Sequence, residues 1–198
     1  MPAFGTTISI FNTGESASGP ALSTGVADPH YSLVSAPAGV SLTAITTQPV
    51  YWTSNTSTAD WISPGASGAI NWPVGNYDYQ TTFSLAGDNP ATAQLSGSWA
   101  SDNNGCIYLN GVNTNDCTTF AGFTSLTSFS ITSGFVAGTN TLDFEVYNGG
   151  GPSGVFAQVS GTANPTSPSP TPESSSWILA ATGLLGAAGM MRRRILGR

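Results

Sequence analysis

Asp143 and Glu145 lie two residues apart in the alternating run "TLDFEVYN" (141–148). On a strand they share a face, roughly 6–7 Å apart by strand rise. Paired carboxylates at about that separation are the machinery of glycoside hydrolysis. Alternating acidic residues on a solvent face are also ordinary, and glycosidase pairs usually come from different strands, so no catalytic residue is assigned. A serine triad would have to use His30, the only histidine, and no GxSxG elbow is present.

Binding chemistry has more to work with. Trp52, Trp61, Trp72, Tyr77 and Tyr79 fall within 28 residues. Flat aromatic faces stack on pyranose rings while Asn and Asp side chains meet the hydroxyls. Trp61, Trp72, Tyr77 and Tyr79 are the candidate glycan-binding residues, with Trp61 and Trp72, in "DWISP" and "INWPVG", read as exposed. Core packing is the competing reading, because sandwiches bury tryptophans routinely. Asp88 in "GDNP" and Asp102 and Asn103 in "SDNNG" supply hard oxygens on loops and are candidates for a structural calcium. Asx residues also favour turns for backbone reasons alone. No other cofactor is expected, and one histidine with two cysteines is too few ligands for zinc. In an exported chain Cys106 and Cys117 would form a disulfide worth about 3 kcal/mol for a loop of this size.

The charge balance narrows the partners. Residues 1–163 hold nine carboxylates and no lysine or arginine. Phosphate backbones need clustered cations, so nucleic acid is excluded as a partner of this region. Charged residues are 7% of the chain, yet five Trp, six Tyr and nine Phe argue against a solvated coil.

The elements that must position these residues are short strands. Runs at 6–11, 30–36, 49–53, 76–86, 91–100, 106–111, 126–132, 141–148 and 155–161 are rich in β-branched or aromatic residues. Clusters such as "GDNP", "SDNNG", "AGTN" and "NGGGPSG" separate them. Nine or so strands at this spacing predict an all-β domain over 1–163, an antiparallel β-sandwich. "NPTSPSPTP" (164–172) then reads as an extended proline-rich linker. Residues 177–191, "WILAATGLLGAAGMM", carry no charge and are expected to form a single C-terminal transmembrane helix. Trp177 marks one interface, and Arg192, Arg193 and Arg194 mark the cytoplasmic side.

Pro172-Glu173-Ser174, the Ser/Trp approach, the apolar span and the arginine cluster resemble the PEP-CTERM sorting signal. That resemblance implies export by a Gram-negative bacterium that makes extracellular polysaccharide, with an exosortase as partner cutting near the Pro-Glu motif. Ser174 departs from the second proline of the family motif. "MPAFGTTISIFNTG" has no basic region followed by an apolar run, so an N-terminal signal peptide is expected upstream of this sequence. Leu109-Asn110-Gly111 and the later Gly138, Asn140 and Leu142 resemble galactose-binding-like jelly rolls, which implies that topology for the sandwich. The expectation is an exported, surface-anchored or exosortase-processed structural or adhesive protein of the extracellular polysaccharide matrix, itself a glycan binder and no enzyme. A secreted glycan-active enzyme and, from the Thr-rich strands, an ice-binding surface are the alternatives.

Overall fold

The computed structural model describes residues 5–166, apart from Pro49. The sorting motif Pro172-Glu173-Ser174, the apolar span 177–191 and Arg192–Arg194 lie outside the described residues. Among the described residues no helix is long and apolar enough to cross a membrane.

Two antiparallel sheets face each other. The first contains β2 (Ser32–Ser35), β5 (Gly75–Ser84), β10 (Thr139–Asn148), β7 (Asn104–Leu109) and β8 (Val112–Cys117), in that spatial order. The second runs β3 (Ile45–Thr47), β4 (Trp61–Ser63), β11 (Gly154–Ala163), β6 (Gln94–Asp102) and β9 (Thr127–Ile131), with β1 (Thr6–Thr7) also on β11. Period-two alternation sends Leu142, Phe144 and Val146 of β10 inward, where they meet Tyr77, Tyr79, Trp99, Leu95, Phe129 and Val155. The Trp99 and Phe144 rings lie 5.4 Å apart at the centre of this core.

Two turns fix the five-stranded sheet. Asn110 and Gly111 both take positive φ (52° and 77°), the two-residue geometry that joins β7 to β8. Asn140, fully buried at the start of β10, donates to the Val136 and Gly138 carbonyls and accepts from the Asn110 side chain. The two sequence patterns that resembled galactose-binding-like modules are therefore hydrogen-bonded neighbours, with Leu109 paired to Leu142.

The sequence reading missed β3, β4 and β8 and over-read 49–53, which forms no strand where it is described. β3 and β4 have three residues each, too few for periodicity to register. β8, "VNTNDC", is polar because it is an edge strand with little to bury. The chain beyond Ala163 stays attached as far as Thr166, whose amide donates to the Gly87 carbonyl.

Cys106 and Cys117 form a disulfide across β7 and β8. It closes a loop with a sequence separation of 11 and anchors the free edge of the sheet. A Cys106→Ser/Cys117→Ser variant should lose about 3 kcal/mol of unfolding free energy. Denaturant melts of the two forms check this, and equal midpoints would show that the crosslink contributes nothing.

Candidate functional site

β10 occupies the middle of the five-stranded sheet, so the side chains it turns outward sit at the centre of that sheet's open face. The register sets three rows across it. Tyr147 lies opposite Asn76 on one side and Asn104 on the other. Glu145 lies opposite Asp78 and Cys106, and Asp143 opposite Gln80 and Tyr108. A shallow depression of about 150 Å³ is lined by Asn76, Asn104, Cys106, Tyr108, Glu145 and Tyr147. Gly105 lets β7 approach closely here, since a β-carbon would stand 2.4 Å from the Glu145 carbonyl oxygen.

Three carboxylates share this face with no cation among the described residues. Asp143 Oδ1 accepts from Gln80 Nε2 at 2.7 Å. Asp78 Oδ1 is buried without a hydrogen-bond partner among the described residues. Burial first, and then the charges of Asp143 and Glu145, push the Asp78 carboxyl up to about 6. Among the described residues no cluster of three or more His, Cys, Asp or Glu side chains is placed to hold a metal. The face offers two tyrosine rings, the primary amides of Asn76, Asn104 and Gln80, and acceptor oxygens, which suits a hydroxyl-rich ligand without negative charge.

The structure revises the aromatic assignment. Trp61, Tyr77 and Tyr79 are fully buried and cannot reach a sugar. Trp61 is a residue of β4, its ring tilted against that of Trp52 with centroids 4.4 Å apart and its indole N–H on the Thr53 carbonyl. Tyr77 and Tyr79 point into the sandwich from β5. Trp72 alone of the four reaches the surface, half-buried, packed against the core and over Gly65. Tyr108 and Asn76 were not singled out in the sequence. Tyr147 could have been, because the alternation of 141–147 already placed it on the face of Asp143 and Glu145.

The three calcium candidates are likewise corrected. Asp102 is buried, with Oδ2 accepting from Trp52 Nε1 at 2.7 Å and Oδ1 from Asn103 Nδ2 at 2.8 Å. Asn103 Oδ1 accepts the Gly149 amide at 2.7 Å. Asp88 instead holds Thr6 Oγ1 at 2.9 Å, near the start of β6 rather than its end. The nine residues of β6 separate the two places by roughly 27 Å at about 3.4 Å per residue. These oxygens latch loops onto the sandwich. His30 stacks flat on Phe11 at 3.5 Å, and Asp28 accepts its backbone N–H, so no triad forms there.

No family model matches the chain, and no curated protein matches it. Among solved structures it is similar to a family 35 carbohydrate-binding module from an environmental isolate, at 16% identity and a TM-score of 0.39, covering 82% of this chain and 100% of that one. It is also similar to CBM35 from Paenibacillus barcinonensis, at 17% identity and a TM-score of 0.35, covering 78% and 98%. A third likeness is to dimeric latent PorU from Porphyromonas gingivalis, at 14% identity and a TM-score of 0.35, over 79% of this chain and 14% of that one. At these scores no ligand transfers from those proteins to this chain.

Two expectations follow from the electrostatics. Asp60, Asp78 and Asp102 are all raised from the ordinary 3.8 to about 6, each chiefly by burial. The folded state therefore holds these protons more tightly than the unfolded chain does. Stability should fall as pH rises from about 4 through 6 and level off above it. Thermal melts at pH 4.5 and 7.5 should differ by several degrees in favour of the acid, and a higher midpoint at pH 7.5 would contradict the assignment. Trp52→Phe removes one donor to the buried Asp102 carboxylate and should cost about 1–3 kcal/mol, read from the denaturation midpoint.

Proposed function

We propose that this domain is a non-enzymatic carbohydrate-binding module of the extracellular polysaccharide matrix, and that the open face of its five-stranded sheet holds the sugar. The observation that carries this reading is the row of Tyr147 between Asn76 and Asn104, with Glu145 and Tyr108 beside it over a shallow depression. Tyrosine rings give stacking area at low conformational cost, and the amides and Glu145 accept and donate to hydroxyls. Asp78, Asp143 and Glu145 make the face repel uronate or sulfated chains, so the ligand is a neutral or amino-sugar glycan. The C-terminal segment, by its resemblance to the PEP-CTERM signal, serves export and retention. In this reading Pro172-Glu173-Ser174 is recognised by an exosortase, the span 177–191 sits in the membrane, and Arg192–Arg194 face the cytoplasm.

Affinity electrophoresis through gels containing neutral, amino-sugar or uronate polysaccharide tests the assignment. Retardation in the first two and none in the third is expected, with the polysaccharide left uncleaved. Tyr147→Ala should weaken retention about tenfold, a change of about 1.4 kcal/mol. Chain cleavage would instead make the protein a glycan-active enzyme, and retention unaffected by Tyr147→Ala would move the site elsewhere.

A further inference from the structure

The other sheet ends in a strand whose outer edge is bare. β9 pairs with β6 over five consecutive positions without a register slip, and among the described residues no other strand pairs with it. An open edge of this kind is a template for another strand unless something blunts it. The edges at β8, β2 and β3 are blunted, and β1 has only two residues. β8 slips register against β7, turns through Asn115 at a φ of 68° and carries Asp116. β2 has four residues and a slip of its own. β3 is covered by the preceding loop, where the Thr46 amide donates to Val26 and the Gly25 amide donates to Thr46. β9, "TSFSI", has no charge, no proline and no bulge.

Its surroundings favour a protein strand over other partners. Leu126, just before β9, is 39% exposed, and Val112 on β8 is 67% exposed. Between β8 and the end of β9 lies a cleft of about 310 Å³, with Leu109, Val112 and Ile131 among its lining and Ser130 and Thr132 at its side. Residues 117–142 contain no charged side chain, although the whole chain has a formal charge of −6. Asp116, on the β8 side of the cleft, is the one charged side chain in its lining, so a second copy of this acidic molecule meets little repulsion along β9 itself. Ser128-Phe129-Ser130 also reads the same in both directions.

We propose that β9 is a self-association edge: two copies join antiparallel about a two-fold axis at Phe129, making one continuous sheet. Ser128 of one copy then lies opposite Ser130 of the other on the outer face, where both serines are already exposed. Phe129 and Ile131 stay on the core side, and the second copy covers the apolar wall of the cleft. The contact is isologous and closes as a dimer, so it does not propagate into fibres.

Sedimentation of the full chain in detergent tests this. The wild type should run as a dimer and Ser130→Lys as a monomer at the same concentration, and Ser130→Lys should melt where the wild type melts once diluted to monomer. In a second experiment a mixture of Ser128→Cys and Ser130→Cys chains should form interchain disulfides several-fold faster than either variant alone. A monomeric wild type overturns the proposal. So does a dimer that survives Ser130→Lys, or crosslinking that ignores which serine was replaced, since both would place the association elsewhere in the chain.

Discussion

Nine carboxylates share residues 1–163 with no lysine or arginine, so apart from the charge of His30 beside Asp28 every negative charge must be met by a neutral donor, by water or by a proton. The fold can be followed through how it meets that condition. Asp28 takes three backbone amides, those of Gly14, His30 and Tyr31, and so ties the N-terminal segment to the start of β2. Asp102 takes an indole and an amide, and in doing so fastens the 50–60 loop over the six-stranded sheet. Glu15 accepts the Asn12 amide, and Asp143 accepts from Gln80. Hydrogen bonds from neutral groups to an ion are strong ones but do not cancel its charge. Burial therefore raises Asp28, Asp60, Asp78 and Asp102 where a guanidinium neighbour would have lowered them.

The same condition separates the two sheets. On the outer face of the five-stranded sheet, Asp78, Asp143 and Glu145 lie on two adjacent strands, and their mutual repulsion is part of what raises Asp78. The outer positions of β6, β9 and the later part of β11 are instead Ser, Thr and Gln: Gln94, Ser96, Ser98, Ser128, Ser130, Gln158, Ser160 and Thr162. The first face is charged along its centre, and the second is uncharged at these positions. The proposed ligand surface lies over β5, β10 and β7, and the proposed association edge runs along β9.

Much of the domain could be read in the sequence because periodicity is a local property. In β10 the alternation leaves Leu142, Phe144 and Val146 buried and brings Glu145 and Tyr147 toward the surface, while Asp143 is buried against Gln80. Asn110-Gly111 is a local signal of the same kind, since Asn and Gly adopt most readily the positive φ that both residues take in this turn. Burial of tryptophan and tyrosine was not legible in the same way. "DWISP" carries the Pro and Asp of a loop, and only the pairing of Ile62 with Val155 and of Trp61 with Thr47 turns it into a covered strand. Tyr77 and Tyr79 belong to a strand whose alternate residues, Asn76, Asp78 and Gln80, are polar. Counting aromatics identified the segment, but only the alternation says that the tyrosines face the core.

The Asx residues were misread for a related reason. Asp102 and Asn103 have the composition of a cation loop, and a sequence does not say which donors will arrive from elsewhere in the fold. Here the donors come from Trp52, 50 residues upstream, and Gly149, 46 residues downstream. In a chain with cations, an arginine would ordinarily announce such a carboxylate by its own charge. Without one, the partner is an indole or a backbone amide, groups that occur everywhere and mark nothing in a sequence. The lack of cations that organises this domain is also what hides its carboxylate partners until the fold brings them together.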